Sequence, residues 1–442
     1  MGQILASRAD VARLYGRVAF GATTVDLAAW TGKRYVDVVE NLLMAPTPGT
    51  VPLDRVPAQL GSVSEPLTGQ MWWLNQMLTT PFPLEERMTL LWHNHFATAA
   101  GKARGDLVVA QNQTLRTHAL GSFRDLLVAV TLDPAMLQWL DGAMNVVGKA
   151  NENFARECFE LFTLGRRPQV YTETDIREAA RAFTGWELSG AAQAQYQEAK
   201  HDPRTKTILG RTITNQSANE YKAVLDAALA QPSAATFVAR RIVQNLAYEV
   251  APDPATDPLV TLVAGQLRTS NWNIRTAVRA MLLSDLFRNA DPTQGRQVVR
   301  QPIELAIHAA KAVGLPRIDD TTIPAELRAA GQVPFEPPNV GGWLLGPRWL
   351  GPSTYLGNYA VSARMQAWRN VLVPARLRTT PPSADIGAGG AAWAAQMGLA
   401  ALSPTTLAAC QAFVASGAGG TEEQLQDGIF ILIANSPDWQ VM

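Results

Sequence analysis

Cysteine is almost absent from this 442-residue chain, which contains only Cys158 and Cys410. Two cysteines so far apart exclude a disulfide framework and a cysteine-based zinc site. No stretch approaches the roughly 18 continuous apolar residues that a transmembrane helix requires. Lys plus Arg equals Asp plus Glu at 38 each, so the net charge is zero. We therefore expect neither a membrane span nor a broad basic surface for nucleic acid.

Motifs of the common nucleophile and cofactor sites are also missing. The sequence has no G-x-S-x-G, no phosphate-binding loop, no glycine fingerprint for dinucleotides and no haem-attachment motif. The opening residues, MGQILASRADVARLYGRVAFGA, lack a charged segment followed by an apolar core, so they are not a secretory signal. We expect a cytoplasmic protein from the sequence as it stands, and a periplasmic or extracellular one if a leader has been removed.

Apolar residues make up 47% of the chain and recur mostly every three to four positions, which predicts a mainly α, multi-helical globular protein. One small β-hairpin is expected at 205–213 (TKTILGRTI). Residues 331–357 are rich in Pro, Gly and Trp and cannot form a continuous helix, and we expect a long ordered loop there. The predicted organisation is an N-terminal helical segment (1–45), a Pro-rich linker (46–66), a helical core domain with the polar site cluster (67–290), and a C-terminal helical part packed on it (291–442).

Two histidines in the segment Trp92-His93-Asn94-His95-Phe96 are candidate metal ligands. Residues two apart point to different sides of a helix, so His93 and His95 would share a face only in an extended or terminal turn. Two histidines alone are not a metal site. One core and one surface histidine is an equally good interpretation.

The segment 151–162, NENFARECFELF, carries the most information about chemistry. Its pattern predicts a short helix with Asn151 as N-cap, and it places Glu157 and Glu160 one turn apart. Arg156 and Glu160 form an ordinary i,i+4 pair if this polar stripe faces water. If the helix is buried instead, the two carboxylates must pair with cations, bind a metal, or carry raised pKa values.

Neighbouring polar segments are explained first by capping. Thr172 with Asp175 is a capping pattern at a helix start, and Asp133-Pro134 is an N-cap followed by proline at the first helical position. Arg181 lies on the helix that follows Thr172. It can pair with the carboxylates of 157 and 160 or fix an anionic substrate.

Several of these strings together resemble one bacterial family. WHNHFATAAGK, DPAMLQWLDG, NENFARECFELFTLG, YTETDIREAARAFTGW, HDPRTKTILG and PPNVGGW, in this order, are similar to the family called domain of unknown function 1800. The resemblance covers essentially the whole chain and implies a largely helical protein. It also implies a partner of the domain of unknown function 1501 family, because members of the two families are often encoded side by side.

The resemblance supplies positions but no settled reaction. The family's signature positions fall here on His93, His95, Asn112, Arg116, Asp133, Asp141, Asn151, Glu152, Asn153, Arg156, Glu157, Glu160, Glu173, Asp175, Trp186, Lys206, Asn339 and Trp343.

Our first hypothesis is an enzyme with a buried His/carboxylate site that acts on a polar or anionic substrate by hydrolysis or oxidation. His93, His95, Glu157 and Glu160 would bind iron, manganese or zinc or act as acid and base. The expected catalytic residues are Glu157, Glu160, Arg156 and Arg181. The expected substrate-binding residues are Asn112, Arg116, Asn151, Asn153, Trp343 and Asn339.

The alternative is a non-catalytic binding or assembly protein. Its polar cluster would be a structural ion-pair network, and its Trp-rich loop would hold a glycan or protein partner. A glycoside hydrolase is a narrower option, because one helix seldom supplies both sides of a scissile bond.

Overall fold

The computed structural model describes residues 4–44, 66–166, 169–250, 256–289, 297–373, 378, 380–417 and 420–441. The first half contains α1 (Arg8–Val18), α2 (Thr24–Trp30), α3 (Tyr35–Leu42), α4 (Pro66–Thr79), α5 (Pro83–His95), α6 (Gly105–Thr117), α7 (Phe123–Thr131), α8 (Pro134–Trp139), α9 (Asn153–Glu157), a π-helical turn (Cys158–Thr163) and α10 (Glu173–Ala182). The mainly α fold class is confirmed.

The second half continues with helices up to the last described residues. They are α11 (Glu220–Leu229), α12 (Pro232–Leu246), α13 (Pro258–Thr269), α14 (Ile274–Leu283), α15 (Asp285–Arg288), α16 (Pro302–Ala312), α17 (Ile323–Ala329), α18 (Pro352–Leu372), α19 (Ala384–Gly387), α20 (Ala391–Gln396), α21 (Pro404–Ser416), α22 (Glu422–Ala434) and α23 (Pro437–Gln440). No helix among the described residues is long and apolar enough to cross a membrane.

Two antiparallel hairpins follow α10. In the first, β1 (Trp186–Leu188) pairs with β2 (Ala194–Tyr196), and in the second, β3 (Lys206–Ile208) pairs with β4 (Arg211–Ile213). The second hairpin is the one that the sequence predicted at 205–213. The first was not predicted, because strands of three residues are too short to show an alternating pattern.

Helix starts follow the local chemistry of the sequence. The Thr172 hydroxyl accepts from the Asp175 backbone N–H at 3.2 Å, and the Asp175 carboxylate accepts from the Thr172 N–H at 2.8 Å. This is the predicted capping box of α10. Asp133 caps α8 as predicted, accepting from the Ala135 N–H at 2.9 Å, with Pro134 at the first helical position.

The buried apolar side chains form two clusters. The first joins α1–α3 with α7 and α9–α14, and the second joins α4 with α16–α18 and α20–α23. Helix α5 contributes Leu91 to the first cluster and Leu90 to the second, and α6 contributes Leu115 and Val108 in the same way. These two helices therefore tie the clusters together, and α5 ends at the histidine segment.

The predicted linker at 46–66 lies outside the described residues, apart from Pro66 at the start of α4. The proposed division at 290 falls on residues that are also outside them, so the domain boundaries stay predictions. The 331–357 segment is an ordered loop, as predicted, with Phe335, Trp343 and Trp349 buried. It includes a 3₁₀ turn at Gly346–Leu350, and α18 begins within it at Pro352, earlier than expected.

Candidate functional site

His93 and His95 lie in the last turn of α5 but in different surroundings. The His93 ring is fully buried among the rings of Trp73, Phe335 and Trp343, at centroid distances of 5.2, 5.6 and 5.4 Å. The Nε2 atom of His95 lies 3.0 Å from the Phe162 carbonyl oxygen. Burial lowers the pKa of each histidine to about 3, so both rings are neutral near pH 7.

The four expected metal ligands are not gathered into one site. Within the described residues, no group of three or more His, Cys, Asp or Glu side chains is placed to hold a metal ion. An aromatic cage surrounds His93, and His95 faces a backbone carbonyl, because the end of α5 is buried on all sides. The arrangement does not support the expected iron, manganese or zinc centre formed by His93, His95, Glu157 and Glu160.

Glu157, Glu160 and Arg156 do lie together, at the junction of α9 and the π-helical turn. Arg156 contacts Glu160 at 3.5 Å and also pairs with Glu152 and Glu173 at 3.0 and 2.7 Å. Burial and the nearby Glu160 carboxylate raise the pKa of Glu157, although Arg166 and Arg156 oppose the shift. A π turn often marks a functional position because it displaces side chains from the regular helical register.

Arg181 lies in a different ion-pair cluster from Glu157 and Glu160. It pairs with Asp202 at 2.8 Å and with Glu178 at 2.6 Å, and contacts neither carboxylate on the α9 side. Asp202 also pairs with Arg204, and these contacts hold the pKa of the Asp202 carboxyl far below its usual range. The expected grouping of Arg181 with Glu157 and Glu160 is therefore wrong.

Asn112 and Arg116 on α6 lie in a buried hydrogen-bond network with Glu86, in which the Asn112 side-chain nitrogen has no acceptor among the described residues. Arg116 donates to both oxygens of Glu86 at 2.5 and 2.9 Å, to the Asn112 side-chain oxygen at 2.7 Å, and to Gln113 at 3.0 Å. Trp73 donates to the same Glu86 carboxylate at 3.0 Å. Because every guanidinium nitrogen of Arg116 already has a protein acceptor, none is left for a substrate.

Asn151 and Asn153 organise the turn before α9. The Asn151 side-chain oxygen accepts from the Asn153 N–H at 2.9 Å, but α9 begins one residue later than predicted, with Glu152 rather than Asn151 at the N-cap. The Asn153 side-chain amide donates to Asp141 at 3.2 Å, and Lys102 pairs with Asp141 at 3.0 Å. These contacts give both asparagines a turn-forming role.

A cleft of about 550 Å³ lies between the π-helical turn, α12 and the loop 339–348. Its floor is one face of α12, with side chains at the helical spacing i, i+3, i+4 and i+7. The residues that line the cleft include Glu160, Arg166, Phe237, Arg240, Arg241, Gln244, Glu249, Asn339, Trp343 and Arg348. Of the residues that the sequence singled out, Glu160, Asn339 and Trp343 meet here.

Two arginines of α12 that line this cleft, and the exposed Arg348 of its loop, have no carboxylate partner among the described residues. Neither Arg240 nor Arg241 forms an ion pair with any carboxylate in the described part of the chain, and the buried Arg240 Nε has no hydrogen-bond acceptor there. The Arg241 guanidinium lies over the Phe237 ring, 5.7 Å from its centroid. Burial and the adjacent Arg240 charge lower the pKa of Arg241 to about 10, so it remains a cation near neutral pH.

One wall of the cleft is fixed by a contact between the histidine segment and the 339–348 loop. The Asn94 side-chain oxygen accepts from the Trp343 N–H at 2.6 Å, and its amide lies 3.5 Å from the Trp343 carbonyl. Gly342 has φ +80°, and a Cβ there would lie 2.1 Å from the Asn94 oxygen. The contact therefore requires glycine at 342 as well as asparagine at 94.

A family model described as Protein of unknown function (DUF1800) matches residues 13–441. The chain belongs to this family. No curated protein and no solved structure matches the chain. In this DUF1800 protein the contact of Asn94 with Trp343 joins two of the motifs that carry the resemblance, WHNHFATAAGK and PPNVGGW.

Sequence reasoning missed Asn94, Arg240, Arg241 and Glu249. The first was visible only as part of the string WHNHF, where the histidines drew attention. The two arginines stand at helical spacing from Phe237, which was the available signal for a polar stripe. Only the structure shows that no carboxylate of the described residues pairs with these two arginines, because ion-pair partners cannot be read from sequence spacing.

Proposed function

We propose that this protein is an acid–base enzyme that binds an anionic group of its substrate at Arg240 and Arg241 in the α12 cleft. The observation that carries the proposal is the pair of partly buried arginines that line the cleft without a carboxylate partner among the described residues. A desolvated cation without a partner is costly, and a carboxylate or phosphate of a ligand would offset that cost with paired hydrogen bonds.

Glu160 is the proposed acid–base group, because it lines the cleft and its side chain is 17% exposed. Arg166 and Arg156 contact its carboxylate at 3.1 and 3.5 Å. Glu157 is proposed as the second carboxylate of the reaction, since it lies next to Glu160, and burial and the Glu160 charge raise its pKa. Two neighbouring carboxylates suit acid–base chemistry such as hydrolysis.

The binding step is tested by calorimetry with inorganic phosphate and with citrate. Arg241→Met should weaken binding of at least one of them about tenfold, a difference of about 1.4 kcal/mol. Arg268→Met is the matched control, because Arg268 is exposed on α13, outside the cleft, and loses the same charge. No binding to wild type, or equal loss in both variants, would reject the anion site.

The catalytic step is tested by incubating wild type and Glu160→Gln with an anionic metabolite extract and comparing the products by mass spectrometry. We expect compounds that are consumed by wild type and by Arg268→Met but not by Glu160→Gln. If no compound distinguishes the two, the enzyme proposal fails.

A non-catalytic binding protein would then be the better description. Specific contacts favour this second candidate, since Arg116 and Arg181 are committed to ion pairs within the fold. Little supports glycan binding by such a protein, because Trp343 and Trp349 are only 3% and 4% exposed and cannot stack on a sugar ring.

A further inference from the structure

The α12 cleft contains a carboxylate without a cationic partner as well as two arginines without an anionic one. Glu249 follows α12, is exposed, and forms no ion pair with any cation in the described ranges. Within the described residues, its side chain accepts one hydrogen bond, from the Gln244 amide to Oε1 at 3.1 Å. The cleft therefore offers both signs of charge to a ligand.

The 339–348 loop fixes where the Glu249 carboxylate lies. Gly346 has φ +65°, and a Cβ on it would lie 2.2 Å from the Glu249 Oε2 atom. The absence of a side chain at 346 thus lets the carboxylate lie directly against the loop backbone. Gln244 holds the other oxygen, so a neutral amide and a glycine, rather than a cation, position this charge.

Helix α12 sets how far the positive charge of Arg240 and Arg241 lies from the Glu249 carboxylate along the cleft. Gln244, which contacts Glu249, is three to four residues beyond Arg240 and Arg241. At about 1.5 Å per residue, this is a separation of about one helical turn along the axis. The ammonium and carboxylate groups of a dipeptide can lie at a comparable separation, since two extended residues span at most about 7 Å.

Glu160, the second carboxylate that lines the cleft, differs from Glu249 because it already has cationic partners. Glu160 is already contacted by Arg166 and Arg156, at 3.1 and 3.5 Å. A ligand cation would have to compete with two guanidinium groups there. Glu249 presents no such competition, so it is the place in the cleft where a ligand ammonium gains most.

We infer that the ligand of the cleft is a zwitterion, namely an amino acid or short peptide whose carboxylate binds Arg240 and Arg241 and whose ammonium group binds Glu249. This inference rests on the proposed anion-binding function and adds the cationic half of the ligand. A cleft of about 550 Å³ is of the size that small ligands of this kind occupy.

The test compares alanyl-alanine with N-acetyl-alanyl-alanine, whose acetyl group removes the ammonium charge, by calorimetry on the full chain. Wild type should prefer the free amine about three- to fivefold, as expected for one solvent-accessible ion pair. Glu249→Gln should abolish that preference while leaving the acetylated peptide unaffected. Arg241→Met should weaken both peptides.

Glu198→Gln is the matched control, because Glu198 lies outside the cleft and forms no ion pair within the described residues. It should leave the preference unchanged. The zwitterion inference is overturned if wild type binds the two peptides equally, if Glu249→Gln keeps the preference, or if phosphate or citrate binds through Arg241 and neither peptide does. In those cases the anion site still stands, whereas loss of all Arg241-dependent binding rejects the proposed function itself.

Discussion

Replacing Asn94 with alanine should lower the free energy of unfolding by about 2 kcal/mol. Asn94 and Trp343 are 5% and 3% exposed, and the Trp343 N–H donates to the asparagine oxygen at 2.6 Å. Alanine leaves that N–H buried without an acceptor, which costs about 1–3 kcal/mol. The second contact, from the asparagine amide to the Trp343 carbonyl, is 3.5 Å long and adds less than about 1 kcal/mol.

Urea unfolding measures the effect as a lower midpoint at unchanged slope. Asn339→Ala is the matched control. Asn339 is in the same loop and accepts from the Gly341 N–H at 2.8 Å, but it is exposed, so water replaces the lost acceptor. We expect this control to cost less than about 1 kcal/mol. Equal losses in the two variants would refute the reasoning, because burial of the Trp343 N–H is the only reason for a difference. Phosphate binding should also weaken in the Asn94 variant, since the contact fixes a wall of the cleft.

Three further predictions concern buried charges. Burial raises the pKa of Asp133 to about 7, so the folded protein is most stable below about pH 4, where this carboxyl is protonated, and loses stability as the pH rises through 7. Asp133→Asn keeps the helix cap without the charge. In urea unfolding, this variant should be more stable than wild type by up to about 4 kcal/mol at pH 8 and by little at pH 4. Burial lowers the pKa of His93 to about 3, so the free energy of unfolding falls as the pH drops from about 6.5 towards 3. His93→Phe should reduce this fall of the urea midpoint in acid. An equal fall in the variant would contradict the conclusion that buried His93 causes it. Lys206 and Glu220 form a fully buried ion pair, so Lys206→Met should cost about 3–5 kcal/mol because the Glu220 carboxylate loses its cation. Adding Glu220→Leu should restore only part of the loss in urea unfolding, because Glu220 Oε2 also accepts from the Gln216 N–H at 3.2 Å and lies 3.3 Å from His201 Nε2.

The helices could be predicted from the sequence wherever a local pattern specifies them. The capping box at Thr172 and Asp175 and the proline after Asp133 mark helix starts within a few residues of where the structure has them. The hairpin at 205–213 was also recognisable. The short helix α17 and the hairpin of β1 and β2 were not predicted, because elements this short contain too few apolar positions to show a period.

The cleft could not be predicted, because its contacts join distant parts of the chain. Asn94 and Trp343 are 249 residues apart, and no local spacing relates them. The same holds for Arg87 and Glu304, a buried ion pair between α5 and α16. Without knowledge of such pairs, the sequence can show which residues are polar but not which of them are left without a partner.

Whether a charged residue has a partner is what separates structural from functional roles in this fold. Arg116 and Arg181 looked like substrate ligands because they lie among other polar residues, yet their guanidinium groups donate to Glu86 and Asp202 within the protein. A ligand site must keep hydrogen-bonding capacity until the ligand arrives, whereas a packing network must use that capacity during folding. Arg241 and Glu249 meet the first condition, since each lines the cleft and neither has an ion-pair partner among the described residues. Arg116 and Arg181 therefore stabilise the fold, whereas the polar stripe on α12 is where a ligand would find charges without a partner among the described residues.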